Sequence, residues 1–156
     1  MEKLTTCGKL VKVSGSPDDT IRLGRSLSKI LKGPSRNLFL IGDLGSGKTT
    51  LLKGLGAGLG IQKSEVVSPT FQLVRKYECG RESLIHLDLY RLHDISEIMH
   101  LGWTDMIEED AVMAVEWADR AYELWPDEGV FIFSAILSED EREYRIYLNK
   151  ENVPSD

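Results

Sequence analysis

"IGDLGSGKTT", residues 41–50, contains the pattern G-x-x-x-x-G-K-[ST] from Gly42 to Thr49. A loop of this kind holds phosphate through geometry. Gly45 and Gly47 can adopt backbone angles that turn successive N–H groups inward, and the following helix adds its unpaired amides and dipole. Ser46 contributes as one more backbone donor of the loop. Lys48 is expected to neutralise the outer phosphates, Thr49 to place its hydroxyl on Mg²⁺, and Thr50 to reach the inner phosphate. Such a loop needs a buried strand before it and a helix after it. "NLFLIG" supplies the strand, and a helix is predicted from Lys48 to about Leu59.

Working outward, a short strand is predicted around Leu10–Val13. "SPDDT" then starts a helix, with Ser16 as cap, Pro17 in the first turn, and Asp18 and Asp19 at the positive end of the dipole. Ile21, Leu23, Leu27, Ile30 and Leu31 continue at helical spacing until "KGP". The second half of the loop helix, "GLGAGLG", is unusual, because each interior glycine costs about 1 kcal/mol relative to alanine. Close approach of a neighbouring backbone would explain it, as would early fraying; fraying at the helix end is the expectation adopted here. "FQLVRKYE" and "ESLIHLDLY" flank "CGR" as a hairpin. "DISEIMHLGWTDMIEED" suggests one or two short helices. "AVMAVEW" is another buried strand, followed by a short helix stopping at Pro126, and the tail forms a second hairpin. Strands interleaved with helices predict an α/β three-layer sandwich around a mostly parallel sheet, with antiparallel hairpin additions.

The 156 residues form a single domain, 1–156, with 42% hydrophobic and 28% charged residues, an ordinary soluble composition. No apolar run approaches the ~20 residues of a membrane helix. The first ten residues lack the apolar core of a signal peptide, so a cytoplasmic location is expected. Cys7 and Cys79 fit no metal spacing and are expected to be free thiols. A net charge of −6 argues against autonomous binding to nucleic acid. The charge is uneven: residues 1–60 carry +6 and the remainder −12. A phosphate-binding half is naturally basic, and a docking surface is the other reading.

Three further segments offer chemistry. Asp88 ends an apolar strand in "SLIHLDLYRL", where it can serve a phosphate-bound Mg²⁺ directly or through water, or be an ordinary strand-end carboxylate. Glu116 projects from the carboxyl end of "AVMAV", the sheet edge where ligands sit in open α/β folds. A carboxylate half-buried there is costly without compensation. It can polarise the attacking water, hold the metal's water shell, or sit in a structural ion pair. In "SPTF", Thr70, with Ser68 as the alternate, lies on a proline-stiffened loop that can reach the γ-phosphate or metal, or can simply cap a strand. His93 and His100 read as surface residues. No N-K-x-D motif reads guanine, which favours ATP. No acceptor-site pattern of a small-molecule kinase is visible.

Together "GDLGSGKTT", "SPTF", "HLDLYRL", "LGW" and "VEW", in this order and at these separations, resemble the TsaE family from about Asp19 to Leu148. The resemblance implies a phosphate-loop ATPase required for making threonylcarbamoyladenosine in bacterial tRNA, with ATP and Mg²⁺ as cofactors. It implies work with two partners of the actin-like superfold, which carry out the transfer onto the adenosine beside the anticodon; tRNA is then met only through the complex. On the matching positions it gives Lys48 and Thr49 to phosphate and metal, Asp88 to the metal side, Glu116 to metal or catalysis, and Thr20 and Trp117 to the adenine side; with Thr70 from the residues of "SPTF" themselves, Lys48 and Glu116 complete the catalytic candidates. Ser46 stands where the family usually has Ala, and Ala118 replaces a frequent Pro. The expected function is hydrolysis that drives or resets a partner complex. An ATP-sensing module and a small kinase are the rival classes.

Overall fold

The computed structural model describes residues 8–33 and 36–155. Cys7 and the proline of "KGP" lie outside the described residues. Among the described residues, seven strands form one sheet: β1 (Lys9–Ser14), β2 (Asn37–Ile41), β3 (Val74–Cys79), β4 (Glu82–Asp88), β5 (Val112–Glu116), β6 (Glu128–Ile136) and β7 (Arg142–Asn149). Their spatial order is β1-β7-β6-β2-β5-β4-β3. The four central strands β6, β2, β5 and β4 run parallel, and β7, β1 and β3 add antiparallel edges. This is the predicted α/β sandwich, with both hairpins found. The parallel strands are mostly apolar, as burial on both faces demands, with His86 inside β4 and Ser134 inside β6 as buried polar exceptions.

Helices α1 (Pro17–Leu27) and α2 (Lys48–Gly58) cover one face. There Leu38, Leu40, Leu84 and Ala114 meet Leu51 and Leu55. The short helices α3 (Ile95–His100) and α4 (Trp103–Glu108) and a 3₁₀ segment, Ala118–Leu124, cover the other. Phe39, Ile85, Leu87, Trp103, Val115 and Phe131 form that second core. Ser16 caps α1 by accepting from the Asp19 N–H at 3.1 Å, with Pro17 in the first turn as its chemistry requires. The helix ends one turn earlier than its periodicity suggests: Ile30 lies beyond it and is exposed, whereas Leu31 stays buried. Cys79 is a free thiol whose Sγ–H meets the Gly60 carbonyl at 3.0 Å.

The expectation of early fraying in "GLGAGLG" is overturned. α2 remains regular to Gly58; Gly54 and Gly58 mark close approach to α1 and its C-terminal end, while Gly56 lies against Val66. A Cβ on Gly54 would lie 2.1 Å from the Ile21 carbonyl oxygen, and one on Gly24 would lie 2.0 Å from that of Leu51. Backbone therefore rests on backbone, and α2 is held tightly beneath the loop that begins it. Gly54→Ala is expected to destabilise the fold by about 3 kcal/mol, the upper end for overpacking, because the atom it meets is main chain and cannot rotate away. A denaturant midpoint equal to the wild type would show that the helices can separate freely.

Candidate functional site

The carboxyl ends of β2, β4 and β5 meet at one sheet edge, and the loop 42–47 arches over it. Gly45 and Gly47 have φ of +79° and +94°, the left-handed conformations that turn peptide N–H groups into the concavity. Gly47 also lies against Tyr144, since a Cβ there would be 2.2 Å from its phenol oxygen. Any other residue at 47 would meet both backbone strain and a steric clash.

Lys48 opens α2 and folds back into the loop, where its Nζ donates to the carbonyls of Gly42 and Asp43, the latter at 2.9 Å. Trp117 covers it, with its ring centroid 4.2 Å from the ammonium. Burial lowers the Lys48 pKa, and the nearby carboxylates of Glu116, Asp88, Asp119 and Asp43 oppose that shift. Trp117 achieves its position with φ +57°, a rare conformation for a bulky residue, and its indole also packs on Tyr90 at 4.9 Å.

Glu116 and Asp88 are registered opposite one another on adjacent parallel strands and are 3% and 2% exposed. Thr49 Oγ1 donates to both oxygens of Glu116, at 2.8 and 3.1 Å. Asp88 Oδ2 accepts from both Ser68 and Thr70, the latter at 2.9 Å, while Oδ1 accepts the Tyr90 N–H at 2.9 Å. Thr70 and Ser68, which the sequence offered as alternates, therefore share one carboxylate oxygen. Two buried carboxylates stand here against one ammonium, an imbalance that suits a divalent cation. The donors are hard oxygens, and among the described residues no three His, Cys, Asp or Glu side chains converge into a protein cage. That combination fits Mg²⁺, which takes one or two protein carboxylates and fills its remaining positions with phosphate and water.

Thr20 lies on the opposite flank of the loop. It bonds to Ser14 Oγ at 2.7 Å and to the Tyr144 hydroxyl at 3.2 Å. Burial pushes the Tyr144 phenol up, and the Thr20 hydrogen bond partly offsets this. Thr20, Gly45, Gly47, Thr50 and Arg142 line a cavity of about 150 Å³ that Trp117 does not reach. The two residues that the resemblance gives to the adenine side thus occupy different flanks. Ser46 is fully buried and turns its hydroxyl to Ser134 Oγ at 2.7 Å, away from the concavity. A larger hollow of about 560 Å³ lies on the other face of the sheet, among Tyr122, Phe133, Arg145 and Val153, and no loop residue from Gly42 to Thr50 lines it.

Two further residues contribute to the site, Arg142 and His86. Arg142 ties the β6–β7 hairpin to the loop, its Nε donating to the Gly45 carbonyl at 2.9 Å and its Nη1 to carbonyls of Ser138, Glu139 and Glu141. Nothing local to its sequence signals this. His86 is fully buried, with Nε2 2.9 Å from Glu116 Oε1. The available signal was its place two residues before Asp88, hence on the same face of the strand. His93 and His100 are exposed, as expected.

A glycine-turned G-x-x-x-x-G-K-[ST] loop between a buried parallel strand and a helix, with carboxylates on neighbouring strand ends, defines a protein of the phosphate-loop α/β class. The sequence model of the family "Threonylcarbamoyl adenosine biosynthesis protein TsaE" matches residues 14–146. The chain belongs to the TsaE family. Proteins named tRNA threonylcarbamoyladenosine biosynthesis protein TsaE are similar to it in Treponema pallidum, at 37% identity over 86% of this chain and 97% of the relative. The one from Aquifex aeolicus is 38% identical over 85% of this chain and 91% of the relative. The crystal structure of Bacillus subtilis YdiB superposes with a TM-score of 0.75 at 31% identity, covering 92% of this chain and 87% of that one. No helix among the described residues is long and apolar enough to cross a membrane.

Proposed function

We propose that this protein binds Mg-ATP and hydrolyses it as a subunit required for threonylcarbamoylation of adenosine in tRNA. Hydrolysis drives or resets a complex with two partners of the actin-like superfold, and the threonylcarbamoyl chemistry belongs to those partners. One observation carries the hydrolytic reading: Glu116, a buried carboxylate at the sheet edge, is bonded to the hydroxyl of the loop's Thr49. A carboxylate in that position can orient a water against the terminal phosphate, which is the main chemical task in phosphoryl transfer to water.

Within this reading Lys48 exchanges its two carbonyl partners for phosphate oxygens, a stronger, charge-assisted pairing. Thr49, Asp88 and Glu116 would hold Mg²⁺, which supplies neutralisation of charge on the outer phosphates when bound. Ser68 and Thr70 fix Asp88 and link it to a surface loop, so that loop can respond to the state of the nucleotide. Incubation with γ-labelled ATP, alone and with partners, tests the proposal. Release of free phosphate is expected; unchanged ATP would mark a sensor and a labelled acceptor a kinase.

Assembly draws on the basic first third of the chain. Arg25, Lys29 and Lys32 are exposed at the end of α1 and in the turn after it. Pairing Lys29→Glu with Lys32→Glu is expected to weaken complex formation about three- to tenfold at low salt, less as screening rises, with ATP binding unaltered. Unchanged assembly at low ionic strength would leave these charges as a solvated surface.

A further inference from the structure

We infer that His86 is a positioning residue for Glu116, holding the carboxylate in the orientation in which it meets Thr49; this rests on the hydrolytic role proposed above for Glu116. His86 sits in the interior of β4 and is fully buried, with Leu84 and Asp88 as its same-face neighbours. Its registered neighbour on β5 is Ala114, two residues before Glu116 on the same face. The small Ala114 side chain leaves room for the imidazole to lie toward β5, and Nε2 reaches Glu116 Oε1 at 2.9 Å. Facing a carboxylate acceptor, Nε2 carries a hydrogen.

Its Nδ1 is buried and has no hydrogen-bond partner among the described residues. A ring held for packing alone would be better replaced by an apolar residue such as the Leu at position 84, because each unpaired buried polar atom is unfavourable. Among the described residues the imidazole keeps one polar tie, and that tie is to Glu116. The carboxylate needs it. The Thr49 hydroxyl has a single hydrogen shared between the two Glu116 oxygens. The Lys48 ammonium is also close enough to interact electrostatically with Glu116. Without a second donor, Glu116 could turn toward Lys48 and away from Thr49. With His86 on Oε1, its orientation does not depend on where the Thr49 hydroxyl points while nucleotide is bound.

The test compares His86→Leu, which removes the donor, with His86→Gln, whose Nε2–H can reach similarly. Phosphate release in a single turnover and nucleotide affinity with and without Mg²⁺ are measured on the full chain. His86→Leu should lower the rate and the Mg²⁺-dependent part of the affinity by about 10–100-fold, the range for groups that orient a metal-site ligand. Metal-free nucleotide affinity should be unchanged, and His86→Gln should recover most of both losses. Equal behaviour of the two variants, whether both normal or both impaired, would overturn the proposal and leave His86 a packing residue. Should His86→Leu fail to fold, the imidazole proton resonance of the wild-type protein decides. A protected downfield Nε2–H signal that moves upfield in Glu116→Gln is expected, and a signal unaffected by that change would refute the contact. Glu116→Gln also separates the two claims. If it turns over normally, the reading of Glu116 itself fails; if it is slow while His86→Leu is normal, only the role of His86 falls.

Discussion

Glu116→Gln should bind ATP and hydrolyse it at least ~10²-fold more slowly, the low end for loss of a general base. The substitution keeps the shape and removes the charge of a side chain that is 3% exposed and bonded to both Thr49 and His86. In the variant both partners face an uncharged amide, so hydrogen bonds to a charged group are replaced by weaker neutral ones and stability should fall by about 1 kcal/mol, well short of unfolding. With release awaiting a hydrolysis that no longer occurs, the ATP-bound assembly should accumulate with its partners. A metal-holding role has a different signature, in which Mg²⁺-dependent affinity falls along with the rate. Affinity with and without Mg²⁺, beside single-turnover hydrolysis in the presence of partners, distinguishes the two. Wild-type affinity together with wild-type turnover would return Glu116 to a purely structural role. One electrostatic consequence accompanies the change: Glu116 contributes most to opposing the burial-driven lowering of the Lys48 pKa. Without it that pKa drops further, and ATP affinity should weaken earlier on raising the pH than in the wild type.

Lys48→Ala should lose most Mg-ATP affinity while the fold persists. A lost charge-assisted hydrogen bond costs about 1.5–3 kcal/mol, roughly ten- to a hundredfold in affinity. The ammonium is enclosed by the loop and by Trp117, where weak screening makes its charge count for more than at an open surface. The fold survives because, among the described residues, Lys48 hydrogen-bonds only to the carbonyls of Gly42 and Asp43, in the loop itself. The hydrophobic layers on both faces are untouched. Calorimetry with Mg-ATP, beside a thermal melt, checks both halves. Near-wild-type affinity would contradict the phosphate role of Lys48.

Much of the fold was legible locally. Residues 37–50 declare strand, loop and helix because burial, glycine at left-handed positions and the lysine-threonine pair are all written within fourteen consecutive residues. The two hairpins follow from alternation and turn chemistry, and α1 from its cap. Asp88 and Glu116 could be selected because each follows an apolar run, which sets the strand end and hence the edge to which a carboxylate belongs. Thr70 and Ser68 were legible as a pair of hydroxyls on a stiffened loop; their convergence on one oxygen of Asp88 was not.

What remained was decided by tertiary structure, and for a common reason. The glycines of "GLGAGLG" read equally well as a weak helix end or as a contact surface, until α1 was seen to lay the Ile21 carbonyl against Gly54. His86 reads as one more residue of a buried strand. Its role appears only when β4 pairs with β5 in the register that sets it opposite Ala114 and beside Glu116, thirty residues away in sequence. Arg142 likewise acquires its purpose only when β7 returns beneath the loop. The sequence alone determined the loop, the strands and which residue types stand at their ends, since those depend on short-range sterics and periodicity. Which strand neighbours which, and in what register, was settled only by packing the whole chain: an apolar parallel strand presents nearly the same faces to any neighbour, and the choice rests on contacts far apart in sequence.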